Sequence, residues 1–184
     1  MINLFNVVKG VVTRVVEEAP FVKTIIVKIP VDKYVYNPGQ FNMIYYPGVG
    51  EVPLSISNLP VVGDEGVLIE HTFKAVGSIT KTMYERIEPG SIIGVRGPYG
   101  KGWALKDCVN RDLLIIAGGL GLAPLRPVIK YVMNNRGLYG RLNILIGART
   151  PSDILYKYEL EEYMEIPDSK ILLSVDKLGD QWVH

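Results

Sequence analysis

The chain has 184 residues, 48% of them hydrophobic and 21% charged, and its 20 basic and 19 acidic residues leave a formal net charge of +1. That length allows one or two modest cores, and the balanced, interspersed charge gives no electrostatic footprint for nucleic acid or an anionic membrane surface. A single cysteine, Cys108, excludes an internal disulfide and cannot by itself hold zinc or an iron-sulfur cluster. No metal site is therefore expected in this sequence, and Cys108 reads as a small buried apolar residue. The longest apolar run, 113–125, is broken by glycines and a proline and is too short to span a bilayer, so no membrane insertion is expected. Residues 1–5 lack the charged start and apolar block of a signal peptide, which makes the cytoplasm the expected location.

The first hundred residues read as strands. Segments 6–16 and 22–29 are rich in Val, Ile and Thr with polar residues interleaved, and 17–20 supplies the break between them. Pro38 and Gly39 turn the chain into a third strand, 40–46; a fourth follows at 54–57 and a fifth at 66–73. Met83 and Ile87, four apart, mark a short helix over 79–87, which Pro89 and Gly90 stop before a sixth strand at 91–96. Six short strands between turn signals predict a small closed antiparallel barrel.

The pattern changes after the glycine-rich stretch 97–102. Strand 113–117, helix 125–134, strand 142–147, helix 152–164 and strand 170–175 alternate as in a parallel sheet, with a domain boundary near 106–110. The apolar residues 113–117 read as a strand buried on both faces. Gly118, Gly119 and Gly121 follow at once, with Pro124 and Pro127 in the first turn of the helix, where a missing amide hydrogen costs little. A strand, a glycine turn and a helix N-terminus make a phosphate seat, because free amides and the positive end of the helix dipole point at one spot. The spacing alone also fits a close-packed turn without a ligand: G-x-G-x-x-G lacks its third glycine, and the second strand ends in Gly147, Ala148 and Arg149 rather than in an acidic residue. Three strands and two helices leave an open sheet edge, and 179–184 shows turn and polar residues, so this second domain reads as incomplete.

Four segments now stand in order: PGQF at 38–41, PLSIS at 53–57, VGSITK at 76–81 and GGLGLAP at 118–124. In this order and at these separations they resemble the ferredoxin-NADP reductase superfamily. GVGEVPLSIS, RGPYGKG and AGGLGLAPLR are especially similar to the gamma (diaphorase) subunit of cytoplasmic nickel-iron hydrogenases, or sulfhydrogenases. The resemblance implies a β + α/β chain: a six-stranded antiparallel Greek-key barrel binding FAD at 1–108, then a parallel-sheet domain binding NADH or NADPH at 109–184.

By the same resemblance Pro53, Leu54, Ser55, Ile56 and Ser57 run along the flavin, with the Ser55 hydroxyl near N5. Leu54 stands where many relatives carry a tyrosine, and Val52 where most carry an arginine. His71, Thr72 and Phe73 border the ring, His71 by contact only. Gly77, Ser78, Ile79 and Thr80 hold the FAD diphosphate through backbone amides and the Thr80 hydroxyl, with Lys81 adding charge. Gly118, Gly119, Gly121 and Pro124 form the nicotinamide dinucleotide's diphosphate loop. Arg149 pairs with a 2′-phosphate or a ribose, or is a solvated charge at a strand end.

The implied function is that of a flavoprotein electron-transfer subunit. It moves a hydride between NAD(P)H and FAD, and single electrons to or from a hydrogenase or other iron-sulfur partner. The electron-transfer subunit of dihydroorotate dehydrogenase, and a non-catalytic assembly subunit keeping the reductase fold, are the rivals. The family's cysteine-glycine-proline-proline segment and its terminal cysteine group are not in this sequence. An iron-sulfur cluster is accordingly expected only beyond these residues or in a partner subunit.

Overall fold

The computed structural model describes residues 6–178; the readings placed on 1–5 and 179–184 lie outside the described residues. The barrel begins with β1 (Val8–Ala19) and β2 (Val22–Ile29), joined by a tight turn in which Phe21 takes φ +64°. The expected break at 17–20 shrinks to that turn. β1 runs on through 17–19 because Ala19 and Val22 pack into the second domain's core and the buried Glu18 carboxylate accepts from Tyr156 N and Tyr158 Oη.

β3 (Phe41–Tyr46), β4 (Gly50–Ser55), β5 (Val61–Gly63), β6 (Gly66–Lys74) and β7 (Ile92–Tyr99) complete an antiparallel sheet in the order β4-β3-β7-β1-β2-β6-β5. β5 is a three-residue edge strand that the sequence pattern does not show, since Val61, Val62 and Gly63 all face solvent. Just past β4, Ile56 bridges His71 on β6 and Ser57 N donates to Glu70 O, so the sheet curls back on itself. Alternate residues along β2, β3 and β6 fill the interior; Val12, Ile25, Val27, Ile44, Ile56 and Ile69 are fully buried there. Helix α1 (Ser78–Arg86) closes one end by sinking Met83 into that core, with Ile87 packed just beyond its last turn.

A short 3-10 turn, Leu105–Cys108, leads to the second sheet, where Cys108 is partly buried and its thiol donates to Ala104 O. β8 (Leu113–Gly118), β9 (Leu142–Ala148) and β10 (Ser169–Val175) pair in parallel in the order β10-β9-β8. β8 is buried on one face only, correcting the two-sided expectation: Leu114 and Ile116 are 62% and 64% exposed. Helix α2 (Leu122–Asn134) and the segment through α3 (Leu160–Met164) cover the face that carries Ile115, Ala117, Ile144 and Ile146. Nothing among the described residues covers the other, and β8 remains an open edge.

Two helices differ from the pattern. α2 starts at Leu122 rather than 125, so Pro127 falls in its second turn. The expected helix 152–164 is broken: 3-10 turns at Pro151–Asp153 and Lys157–Glu159 flank Tyr156, which takes φ +54°, and only Leu160–Met164 is α-helical. Ile154, Leu155 and Tyr156 are all buried, three in a row, which a helical face does not allow. Burial of these side chains outweighs local helix propensity.

Candidate functional site

The two glycine turns open onto one crevice. A cavity of about 380 Å³ lies between the domains, within the usual size of small-molecule pockets. Its barrel wall is Val52, Pro53, Leu54 and Ser55 on β4, Thr72, Phe73 and Lys74 on β6, and Val76 and Thr80 at the head of α1. Its other wall is Leu120, Gly121, Ala123 and Pro124, the turn that starts α2. Curling of the seven-stranded sheet brings β4 beside β6, and the β8 crossover sends α2 back toward them; the crevice follows from the topology.

The glycine turn is bare. A Cβ on Gly118, Gly119 or Gly121 would meet no atom within 4 Å, and Gly119 sits at φ +50°. Backbone is thus exposed to open space where a polyanion would lie. At α1 the first intrahelical bond is Lys81 N to Gly77 O, which leaves the amides of Ser78, Ile79 and Thr80 ahead of the hydrogen-bonded ladder. The Thr80 hydroxyl is not a free anion donor. It accepts from Val76 N at 3.1 Å and Gly77 N at 3.0 Å and donates to Gly77 O at 3.2 Å, capping the helix from inside. Lys81 lies exposed outside the cavity wall, and Lys74 is the basic residue lining it.

Of the expected site residues, the cavity brings together Pro53, Leu54, Ser55, Thr72, Phe73, Thr80, Gly121 and Pro124. Ser55 is half-buried beside Leu54, which is 7% exposed. Ile56, Ser57 and His71 are fully buried, behind the wall rather than on it. His71 Nδ1 bonds Ser55 O at 2.9 Å and Nε2 bonds Asn42 Nδ2 at 3.2 Å. An amide nitrogen only donates, so Nε2 is the acceptor and Nδ1 carries the proton. Burial, opposed by the backbone bonds to Ser55 and Leu54, drives the imidazole pKa down to about 4, and the ring is neutral. Gly77, Ser78, Ile79, Gly118 and Gly119 flank the cavity along the chain without lining it, and Arg149 is an exposed strand-end residue apart from it.

The residue the sequence pattern misses is Arg126, 3% exposed on α2. Its Nε and Nη2 reach the Glu159 carboxylate at 2.9 and 2.7 Å, and its Nη1 reaches Glu70 Oε2 at 2.6 Å and Ser57 O at 3.2 Å. Burial works against the charge, but bonds and charges from Glu159 and Glu70 outweigh it and hold the guanidinium well above its ordinary range. The ring of Tyr156 lies 4.3 Å beneath it, and the Tyr156 hydroxyl meets Thr72 Oγ1 at 2.6 Å. An arginine in an apolar helix stripe, with acidic residues elsewhere to pair it, was the available signal.

The fold is that of the ferredoxin-NADP reductase-like reductases, a flavin-type barrel followed by a nucleotide-type sheet. One such structure, titled ferredoxin reductase in carbazole 1,9a-dioxygenase, superposes with a TM-score of 0.79 at 18% identity, covering 97% of this chain and 53% of that one. Within this class, residues 115–182 match the Oxidoreductase NAD-binding domain family. The chain is 40% identical over 149 residues to sulfhydrogenase 1 subunit gamma of Pyrococcus furiosus, covering 79% of this chain and 50% of that protein. It is 30% identical over 151 residues to a probable dihydroorotate dehydrogenase B (NAD(+)) electron transfer subunit of Methanocella arvoryzae, covering 82% and 52%. The resemblance read from the four motifs is borne out, and the chain spans about half the length of these curated relatives. No helix of the described residues is long and apolar enough to cross a membrane.

Proposed function

We propose that residues 1–108 hold FAD, that residues 109–184 hold NADH or NADPH, and that the chain acts as the NAD(P)H-dependent flavin oxidoreductase part of a cytoplasmic electron-transfer complex. The observation that carries this reading is the shared crevice: Pro53, Leu54 and Ser55, the head of α1, and Leu120 and Gly121 of the glycine turn all border one cavity. Likeness to a sulfhydrogenase gamma subunit and to dihydroorotate dehydrogenase electron transfer subunits supports partner subunits in an electron-transfer complex, and an iron-sulfur centre in such a partner is part of the proposal.

The residues present fit both ligands. Amides ahead of the α1 ladder and the bare Gly118–Gly121 backbone suit two diphosphates. Leu54 and Phe73 give one face apolar contact, and the half-buried Ser55 brings a hydroxyl that both donates and accepts to the same wall. A bound flavin supplies the exchange between two-electron and one-electron chemistry. The protein's share is to hold two rings in register and to keep water out, for which no acid-base pair is needed.

The test is direct. Chain freed of ligand, incubated with FAD and gel-filtered, should keep the visible flavin absorption and quench flavin fluorescence. A colourless product, together with no response to either nicotinamide dinucleotide by calorimetry, would favour the non-catalytic assembly subunit instead.

A further inference from the structure

The barrel and the sheet domain meet along a buried polar seam, and Arg126 is among the side chains that span it. Arg126 lies five residues past Gly121 on α2, so it moves with the glycine turn as one rigid piece. Within its own domain its fork is matched by both oxygens of Glu159, which also accepts from Tyr163 Oη at 2.6 Å and pairs with Lys130 at 3.1 Å. Across the seam its remaining nitrogen holds Glu70 on β6 and the carbonyl of Ser57, two residues after Ser55. Tyr156, buried beneath the guanidinium, crosses the seam a second time to Thr72, which lines the crevice. The barrel groups that Arg126 and the Tyr156 hydroxyl reach are on, or two residues from, the wall carrying Ser55, while Glu18 of β1 meets Tyr156 N at 3.3 Å from another side.

We propose that Arg126 is a positioning residue: with Tyr156 it fixes the distance between the Gly119–Gly121 turn and the Pro53–Ser55 strand, so that the crevice is set before any ligand enters. The proposal rests on the functional reading above, because it gives the fixed gap its use. Packing alone does not supply this. Interfaces between domains of one chain ordinarily permit relative motion unless they are large and apolar, and this seam carries charge at its centre. Arginine suits the task, since a planar fork serves a carboxylate on one edge and a second acceptor set on the other, four bonds that a three-donor ammonium cannot reproduce.

The test reads geometry rather than activity. With Cys108 replaced by Ser in the otherwise complete chain, spin labels are placed on cysteines at two exposed positions, D64C on the β5–β6 turn and E161C on α3. The label-to-label distance is then measured by pulsed dipolar spectroscopy, with and without FAD. The parent should give one narrow distribution that FAD leaves unchanged. Y156F, which deletes a single oxygen, and E70Q, which keeps shape and removes charge, should each broaden it about twofold while melting remains a single transition. R126K should behave like them, because lysine cannot keep the paired bonds to Glu159 and the two bonds across the seam together. Variant distributions that superpose on the parent's, or a parent already as broad, overturn the proposal. If the variants broaden as described but the parent takes up no FAD, the clamp stands and the functional reading is what fails.

Discussion

Ser55 is held from behind. The residue borders the crevice while its carbonyl accepts the Nδ1 proton of a fully buried, neutral His71. Ser55→Ala removes one hydrogen-bonding group from the wall and leaves this backbone anchor intact. Flavin reduction by the nicotinamide should slow about tenfold, as expected for one lost hydrogen bond, with FAD content unchanged; stopped-flow traces identical to the parent's would remove Ser55 from the chemistry. The same histidine makes a pH prediction. Its pKa falls from 6.5 free to about 4 in the fold, so between those values the unfolded chain binds a proton that the folded chain does not. Its contribution is complete above pH 6.5 and is lost as pH falls toward 4, amounting to about 3 kcal/mol. Melting curves from pH 7 to 4 should show that slope in the parent and a shallower one in His71→Gln. The sequence showed the histidine in its strand, but its burial depends on Asn42 and Ser55 arriving from two other strands, which no local pattern records.

At the scale of elements, strand periodicity and turn residues were legible because each barrel strand alternates between a filled interior and solvent. The segment 152–164 was not. Its spacing is helical, yet Ile154, Leu155 and Tyr156 are all buried, Leu155 and Tyr156 in the core that Ala19 and Val22 of the barrel enter, and Tyr156 adopts a left-handed backbone with its hydroxyl on Thr72. Tertiary demand of this kind comes from residues more than eighty positions away. The glycine turn shows the opposite case, a local signal with a readable purpose. Gly121 has an ordinary helical backbone and open space where a side chain would go, so Gly121→Val strains nothing in the fold but projects into the crevice. Its melting temperature should stay within about 3 °C of the parent, the shift of under 1 kcal/mol, while titration with NADH or NADPH shows binding lost. Retained binding would mean the dinucleotide does not pass over this turn.

For the molecule as a whole, the four motifs foretold the two-domain order, but the seam that joins the domains was invisible, since Arg126, Glu70, Glu159 and Tyr156 belong to no common motif. What the resemblance flagged is a position of consequence for the whole site: Val52, half-buried on the crevice wall, stands where the resemblance leads one to expect an arginine. No guanidinium from that strand meets a diphosphate there. Arg96 does not replace it, because both its nitrogens on that side are taken by Glu51. In the proposed site the flavin diphosphate would be left to the α1 amides and the flexible ammonium of Lys74, interactions that added salt weakens. Dialysis against about 1 M sodium chloride, where the screening length falls to roughly 3 Å, should strip FAD from the parent chain. Val52→Arg should retain it under the same dialysis. If the parent holds its flavin through high salt as firmly as the variant does, the diphosphate is bound by contacts other than these.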